Sequence, residues 1–129
     1  MDATQLKRIP LFAEASDDEL AKVATFAQAK EVSEGEVVVA EGGFSRELLA
    51  IEDGTVEVTR DGQHIAELGP GDVFGEAGMV EDQMRGATVT ATSRLKLISL
   101  GHFEVQRLKK DAPDVYARIE ALVQEREGG

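Results

Sequence analysis

Leu20, Val23, Ala24 and Ala27 recur at helical spacing, with charged or polar residues between them, directly behind Ser16-Asp17-Asp18-Glu19. A Ser followed three residues later by a Glu is a capping box, so a helix is predicted to begin there. Upstream, Leu6, Ile9, Leu11 and Phe12 surround Pro10 and predict a short helical or irregular lead-in that lays apolar side chains on the body. From about Glu31 the period changes. Short segments rich in Val, Ile and Thr follow at Val37-Ala40, Leu48-Ile51, Val56-Thr59, His64-Leu68, Ala87-Thr92 and Leu95-Ser99. Asp61-Gly62 is the strongest hairpin signal between them, and Gly35, Gly42-Gly43, Asp53-Gly54 and Gly69-Pro70-Gly71-Asp72 supply further turns. Strands this short and evenly spaced point to an antiparallel barrel or jelly roll. After Gly101 the helical period returns, first around Phe103 and Leu108, then from Pro113 through Val115, Ile119, Leu122 and Val123.

One domain accommodates all of this: N-terminal helices over 1–30, a β-barrel over 31–100 and two C-terminal helices over 101–129. A chain of 129 residues with 42% hydrophobic positions can bury a core, and a second catalytic or DNA-reading domain is not expected within it. The balance of 14 Lys+Arg against 25 Asp+Glu gives a formal charge of -11, which repels polyphosphate and anionic lipid and argues against nucleic acid or membrane as partner. With no Cys there is no disulfide, thiolate nucleophile or cysteine metal site. Met1-Asp2-Ala3-Thr4 lacks a basic, apolar leader and no apolar run reaches the length of a membrane span, so the expected address is the cytoplasm.

The chemistry concentrates in Phe74-Gly75-Glu76-Ala77-Gly78-Met79 and Arg85-Gly86-Ala87-Thr88-Val89. One acid and one guanidinium flank a Gly-rich connection between two strand patterns. Glycines allow close backbone approach, successive backbone N–H groups can hold an anion, and an Arg can fork two phosphate oxygens. A carboxylate beside it can accept a sugar hydroxyl. By contrast His64 and His102 are isolated and propose no metal, and no Ser, His and Asp grouping suggests a hydrolase. Tyr116 could stack on a base, although an aromatic at helical spacing more often packs on the body.

On these residues the sequence resembles the cyclic nucleotide-binding domain family, whose phosphate-binding cassette runs Phe-Gly-Glu, a small and apolar stretch, then Arg, a small residue, Ala, Thr and Val. Phe74-Gly75-Glu76 and Arg85, Ala87, Thr88 and Val89 match it at the family's spacing, within a cassette spanning 74–89. Gly71-Asp72, Gly42 and Gly54 and the order of elements extend the match over nearly the whole chain. The resemblance implies a fold that is mainly β with flanking helices, an antiparallel β jelly roll or double-stranded β-helix. It also implies a non-enzymatic sensor, similar to the sensor half of catabolite-activator regulators and to regulatory subunits of cAMP-dependent protein kinase.

Carried over by position, Arg85 pairs with the exocyclic phosphate oxygens and Glu76 accepts the ribose 2′-hydroxyl. The backbone of Gly75, Ala77, Gly86 and Ala87 completes the cradle. Val58, Ile65 and Phe74 correspond to the apolar lining against the base, and the last helix would close as a lid with Leu122 or Arg126 as cap. The implied ligand is cAMP, with cGMP second: Gly86 stands where guanine-preferring members often carry a hydroxyl, so that hydrogen bond is missing. No cofactor or metal is implied. The expected partners are the nucleotide and a protein effector or a second copy joined through the C-terminal helix.

Two further departures bear on affinity. Met84 replaces a Pro found in many members, so ordering the loop costs more entropy, and Glu81 and Asp82 add acids beside the anion site. They sustain a rival reading, a degenerate member acting as a nucleotide-independent protein-interaction domain. A small barrel enzyme acting on a phosphorylated metabolite would need clustered His, Asp or Glu, which the sequence does not offer.

Overall fold

In the computed structural model, which describes residues 2–39, 47–75 and 87–128, Ser16 caps the helix that its sequence announces. Its Oγ accepts from the Glu19 N–H at 3.1 Å and Glu19 Oε1 accepts from the Ser16 N–H at 3.1 Å. This closed box starts α2 (Asp17–Ala24), which buries Leu20, Val23 and Ala24. Before it come a short α1 (Ala3–Lys7), capped by Asp2, and a 3-10 turn at Pro10–Phe12. Leu6, Ile9, Leu11 and Phe12 are all buried, as the lead-in pattern requires.

The strands are β1 (Gln28–Val32), β2 (Val37–Val39), β3 (Leu48–Asp53), β4 (Val56–Arg60), β5 (Gln63–Leu68), β6 (Val73–Gly75), β7 (Thr88–Ala91) and β8 (Leu95–Leu100). They form two antiparallel four-stranded sheets, ordered β1-β8-β3-β6 and β2-β7-β4-β5. Two helices close the chain, α3 (His102–Asp111) and α4 (Pro113–Gly128).

Two apolar clusters explain the side-chain patterns. Between the sheets lie Leu49, Ile51, Leu95 and Leu97 from one and Val56, Val58, Val89 and Ala91 from the other. On the outer face of the first sheet, Leu48, Ala50, Val73, Ile98 and Leu100 meet the helices through Leu20, Val105, Leu108, Val115 and Ile119. Buried on both faces, β3 reads as a continuous apolar run over Leu48–Ile51 and β8 is buried throughout except at Lys96, whereas β4 alternates because only one of its faces is covered.

Asp61 at φ 53° and Gly62 at φ 78° form the expected hairpin turn between β4 and β5. In the Gly69-Pro70-Gly71-Asp72 turn the Asp72 N–H donates to the Gly69 carbonyl at 3.0 Å, and Gly71 has φ +96°. That is the type II arrangement that Pro followed by Gly favours. The turn is fastened to β3, with the Ile51 N–H donating to the Asp72 carbonyl at 3.0 Å.

Two strands were not expected. β1 starts before the anticipated boundary at residue 31, and its burial is low throughout, so it carries no apolar alternation to read. β6 is three residues long and lies inside the motif region. On α3 the buried residues are Val105 and Leu108, followed by buried Ala112 at its C-cap, while Phe103 is 79% exposed and not part of the stripe.

Candidate functional site

Among the described strands, the 74–89 segment begins in β6, at the edge of one sheet, and ends in β7, inside the other. β6 pairs only with β3 among the described strands, setting Gly75 opposite Leu48, Phe74 opposite Leu49 and Val73 opposite Ala50. Successive side chains therefore point to opposite faces, and Phe74 enters the space between the sheets while Val73 faces the helices. The chain returns at Ala87, fully buried, and continues as β7 between β2 and β4, with Val89 opposite Val58. The connection thus leaves one sheet at its edge and rejoins the other between two strands. Glu76, Ala77, Arg85 and Gly86 lie outside the described residues, as do Gly42, Glu81, Asp82 and Met84.

Of the remaining candidates, Val58, Phe74 and Ala87 come together in the inter-sheet cluster. Val58 is fully buried and Phe74 is 1% exposed, so in this arrangement both form wall and offer almost no surface of their own. Ile65 does not join them. The β4–β5 register shifts between Val58 and Thr59, pairing Val58 with Ala66 and Thr59 with His64, so Ile65 is the extra residue of a bulge and is 45% exposed. For α4 the backbone is described through Gly128, but the side chains of the candidate caps Leu122 and Arg126 are outside the described ones. Tyr116 packs against the helix-side core, with Lys109 Nζ 5.6 Å from its ring centroid.

A polar cluster that the sequence did not announce sits where β3 begins. Glu47 Oε2 accepts from Lys30 Nζ of β1 at 2.6 Å and also from the hydroxyl of Ser99, the one buried polar side chain among the described residues. These residues are 17 and 52 positions from Glu47 along the chain, and no local pattern connects them. The Lys30 bond, then the Ser99 bond, holds the Glu47 carboxyl below its ordinary range, against the opposing effect of partial burial. A depressed carboxyl stabilises the fold above its unfolded-state pKa, and this contribution is lost as pH falls through the folded value. Glu47→Gln is therefore expected to lower the urea midpoint at neutral pH and to converge on the parent in acid. A deficit that persists unchanged in acid contradicts this role.

His64 Nδ1 lies 3.0 Å from Glu57 Oε2 on an exposed strand face, and no group of three His, Cys, Asp or Glu able to hold a metal occurs among the described residues. No helix among them is long and apolar enough to cross a membrane.

Comparison with known proteins agrees with this architecture. The cyclic nucleotide-binding domain matches residues 29–111, from β1 through α3, and the chain belongs to that family. It is 36% identical over 105 residues to a cAMP-dependent protein kinase regulatory subunit of Yarrowia lipolytica, covering 80% of this chain and 28% of that protein. It is 30% identical over 121 residues to a cyclic nucleotide-gated potassium channel of Rhizobium etli, covering 94% of this chain and 34% of the channel. Among solved structures, the Thermus thermophilus catabolite activator protein superposes with a TM-score of 0.76 at 26% identity, over 92% of this chain and 58% of that one. The chain thus spans about a third or less of these two curated relatives. The fold is the antiparallel jelly roll with flanking helices, and the family is a regulatory ligand-binding one rather than a catalytic one.

Proposed function

We propose that this chain is a non-enzymatic cyclic nucleotide sensor that prefers cAMP to cGMP and signals by repositioning its C-terminal helices. The observation that carries the reading is the family match over residues 29–111. In this reading Arg85 forks the cyclic phosphate, Glu76 accepts the ribose hydroxyl, and the backbone of Gly75, Ala77, Gly86 and Ala87 completes the cradle. Val58, Ile65 and Phe74 shape the apolar side, with exposed Ile65 the one that has surface to give a base. The ligand is the only small molecule required, with no cofactor and no metal.

Ligand binding shifts the population of α4 positions by its differential affinity for them. The output is a cytoplasmic protein effector or a second copy meeting the last helix. Selectivity follows from Gly86, which brings no side-chain hydroxyl to a guanine amino group; one lost hydrogen bond corresponds to about a tenfold preference for cAMP. Parallel calorimetric titrations with cAMP and cGMP test this, and equal or reversed affinities overturn the preference. Partner capture that ignores added nucleotide would instead support the nucleotide-independent interaction domain.

A further inference from the structure

Phe103 departs from the pattern of the helix that carries it. Val105 and Leu108 turn inward, yet this aromatic side chain in the first turn of α3 is 79% exposed. Phe103, Arg107 and Lys110 stand four and three positions apart, so they share one exposed face of the helix. Thr25, Phe26 and Gln28, from the connection between α2 and β1 and the first position of β1, line one open groove of about 390 Å³ together with Phe103, Glu104 and Arg107. Phe26 is half-buried against the helix-side core, so the groove has a fixed aromatic side and an exposed aromatic side.

Its electrostatics are set by Arg107. The guanidinium lies over the Phe26 ring, 5.3 Å from the centroid, at a cation–π distance. Asp111 meets it from Nε at 3.5 Å, and among the described residues nothing accepts from Nη1 or Nη2. A guanidinium laid on a ring keeps its edge donors for a planar carboxylate. Glu104 does not neutralise it. A Cβ at Gly101 would lie 3.0 Å from Glu104 Oε1, so that carboxylate is folded back over the N-cap of its own helix, where the helix dipole favours an acid. Lys110 adds a second cation farther along the face, and α3 carries Arg107, Lys109 and Lys110 against Glu104 and Asp111. This is a local excess of positive charge on a chain whose formal charge is -11.

We infer that this groove is a docking surface for a short acidic segment of a partner protein, with an apolar side chain seated between Phe26 and Phe103 and carboxylates on Arg107 and Lys110. The charge distribution specifies a short segment. A whole acidic domain, or a second copy of this chain, would meet net repulsion from the -11 background, and a basic segment would meet Arg107 and Lys110 directly. The surface needs no bound nucleotide and stands apart from the cassette and from α4.

The test is a titration of the full chain, without nucleotide, followed by its backbone amide resonances. The probe is a short synthetic peptide of Glu, Asp, Leu and Phe, with two companions: one carries Lys at every acidic position, the other Ala at every apolar position. The acidic apolar peptide shifts the amides of residues 25–28 and 103–107 saturably below about 1 mM, and both companions bind at least about tenfold more weakly. Phe103→Ala and Arg107→Gln, both at exposed positions, each weaken binding by about tenfold while the amides of β3 and β8 keep their positions, which separates lost docking from lost fold. Arg94→Gln, the same charge change outside the groove, leaves the affinity unchanged. No saturable shift at these amides, equal binding of the Lys peptide, or unchanged affinity in either groove variant overturns the assignment. Shifts of the same amides that depend on protein concentration in the absence of peptide also overturn it, in favour of a second copy in the groove.

Discussion

Replacing Gly54 with Ala is expected to destabilise the protein by about 2–5 kcal/mol, the sum of a strained backbone and a forced displacement. Gly54 has φ +96°, a conformation that L side chains rarely adopt, and it turns the chain between β3 and β4. A Cβ there would meet the Arg94 carbonyl oxygen at 2.3 Å and Leu95 Cα at 3.0 Å, both backbone atoms that cannot swing aside. The surrounding turn is also tied down: the Thr55 N–H donates to Ser93 Oγ at 3.1 Å and the Thr92 N–H to the Thr55 carbonyl at 3.0 Å. Gly62 is the control. It too has positive φ, at +78°, but nothing lies within 4 Å of its added Cβ. Gly62→Ala should therefore show the conformational cost alone, about 1–2 kcal/mol. Urea denaturation of the two variants decides the matter, and equal losses would show that the close approach to Arg94 contributes nothing.

The elements legible in the sequence are those whose cause is local. Ser16 and Glu19 are three residues apart and satisfy each other's backbone, so the start of α2 is readable from four letters. Asp61-Gly62 and Pro70-Gly71 likewise impose their turn geometry without help from elsewhere. What escaped has a non-local cause. Strand β1, Gln-Ala-Lys-Glu-Val, has no buried alternation and exists as a strand because β8 offers it a complete antiparallel register from Gln28–Ser99 to Val32–Leu95. The bulge that sets Ile65 apart from Val58 is a property of the pairing with β4, not of either strand's composition. Glu47 with Lys30 and Ser99, and Arg118 with Leu11 and Glu14, are contacts across the fold for which no spacing rule exists.

The candidate site divides the same way. The cassette reads as a compact pattern in sequence, a Gly-rich connection holding one acid and one Arg, and of it the structure describes the flanks, Phe74-Gly75 in β6 and Ala87 ahead of β7, while Glu76 and Arg85 lie outside the described residues. The apolar lining was less legible, because Val58 and Phe74 read alike as core or as pocket and are in fact fully packed here.

Arg85 is expected to hold the largest share of ligand affinity. A guanidinium presents a planar fork that matches two oxygens of a phosphate, and both bonds are charge-assisted. The protein's -11 formal charge repels an anionic ligand at long range, so a local cation must outweigh that background. Truncating one partner of a desolvated charge pair costs about 2–5 kcal/mol, and about 1.4 kcal/mol corresponds to tenfold in Kd. Arg85→Ala is accordingly expected to weaken cAMP binding by about 10²–10³-fold, with Arg85→Lys falling between because it keeps the charge and loses the fork. The most direct measurement is a calorimetric titration of cAMP into the intact protein and into Arg85→Ala, each first checked for cooperative unfolding. A saturable heat in the intact protein that is lost or shifted by at least about 10²-fold in the variant is the predicted result. No heat in the intact protein, or equal affinities in the two, would contradict the account.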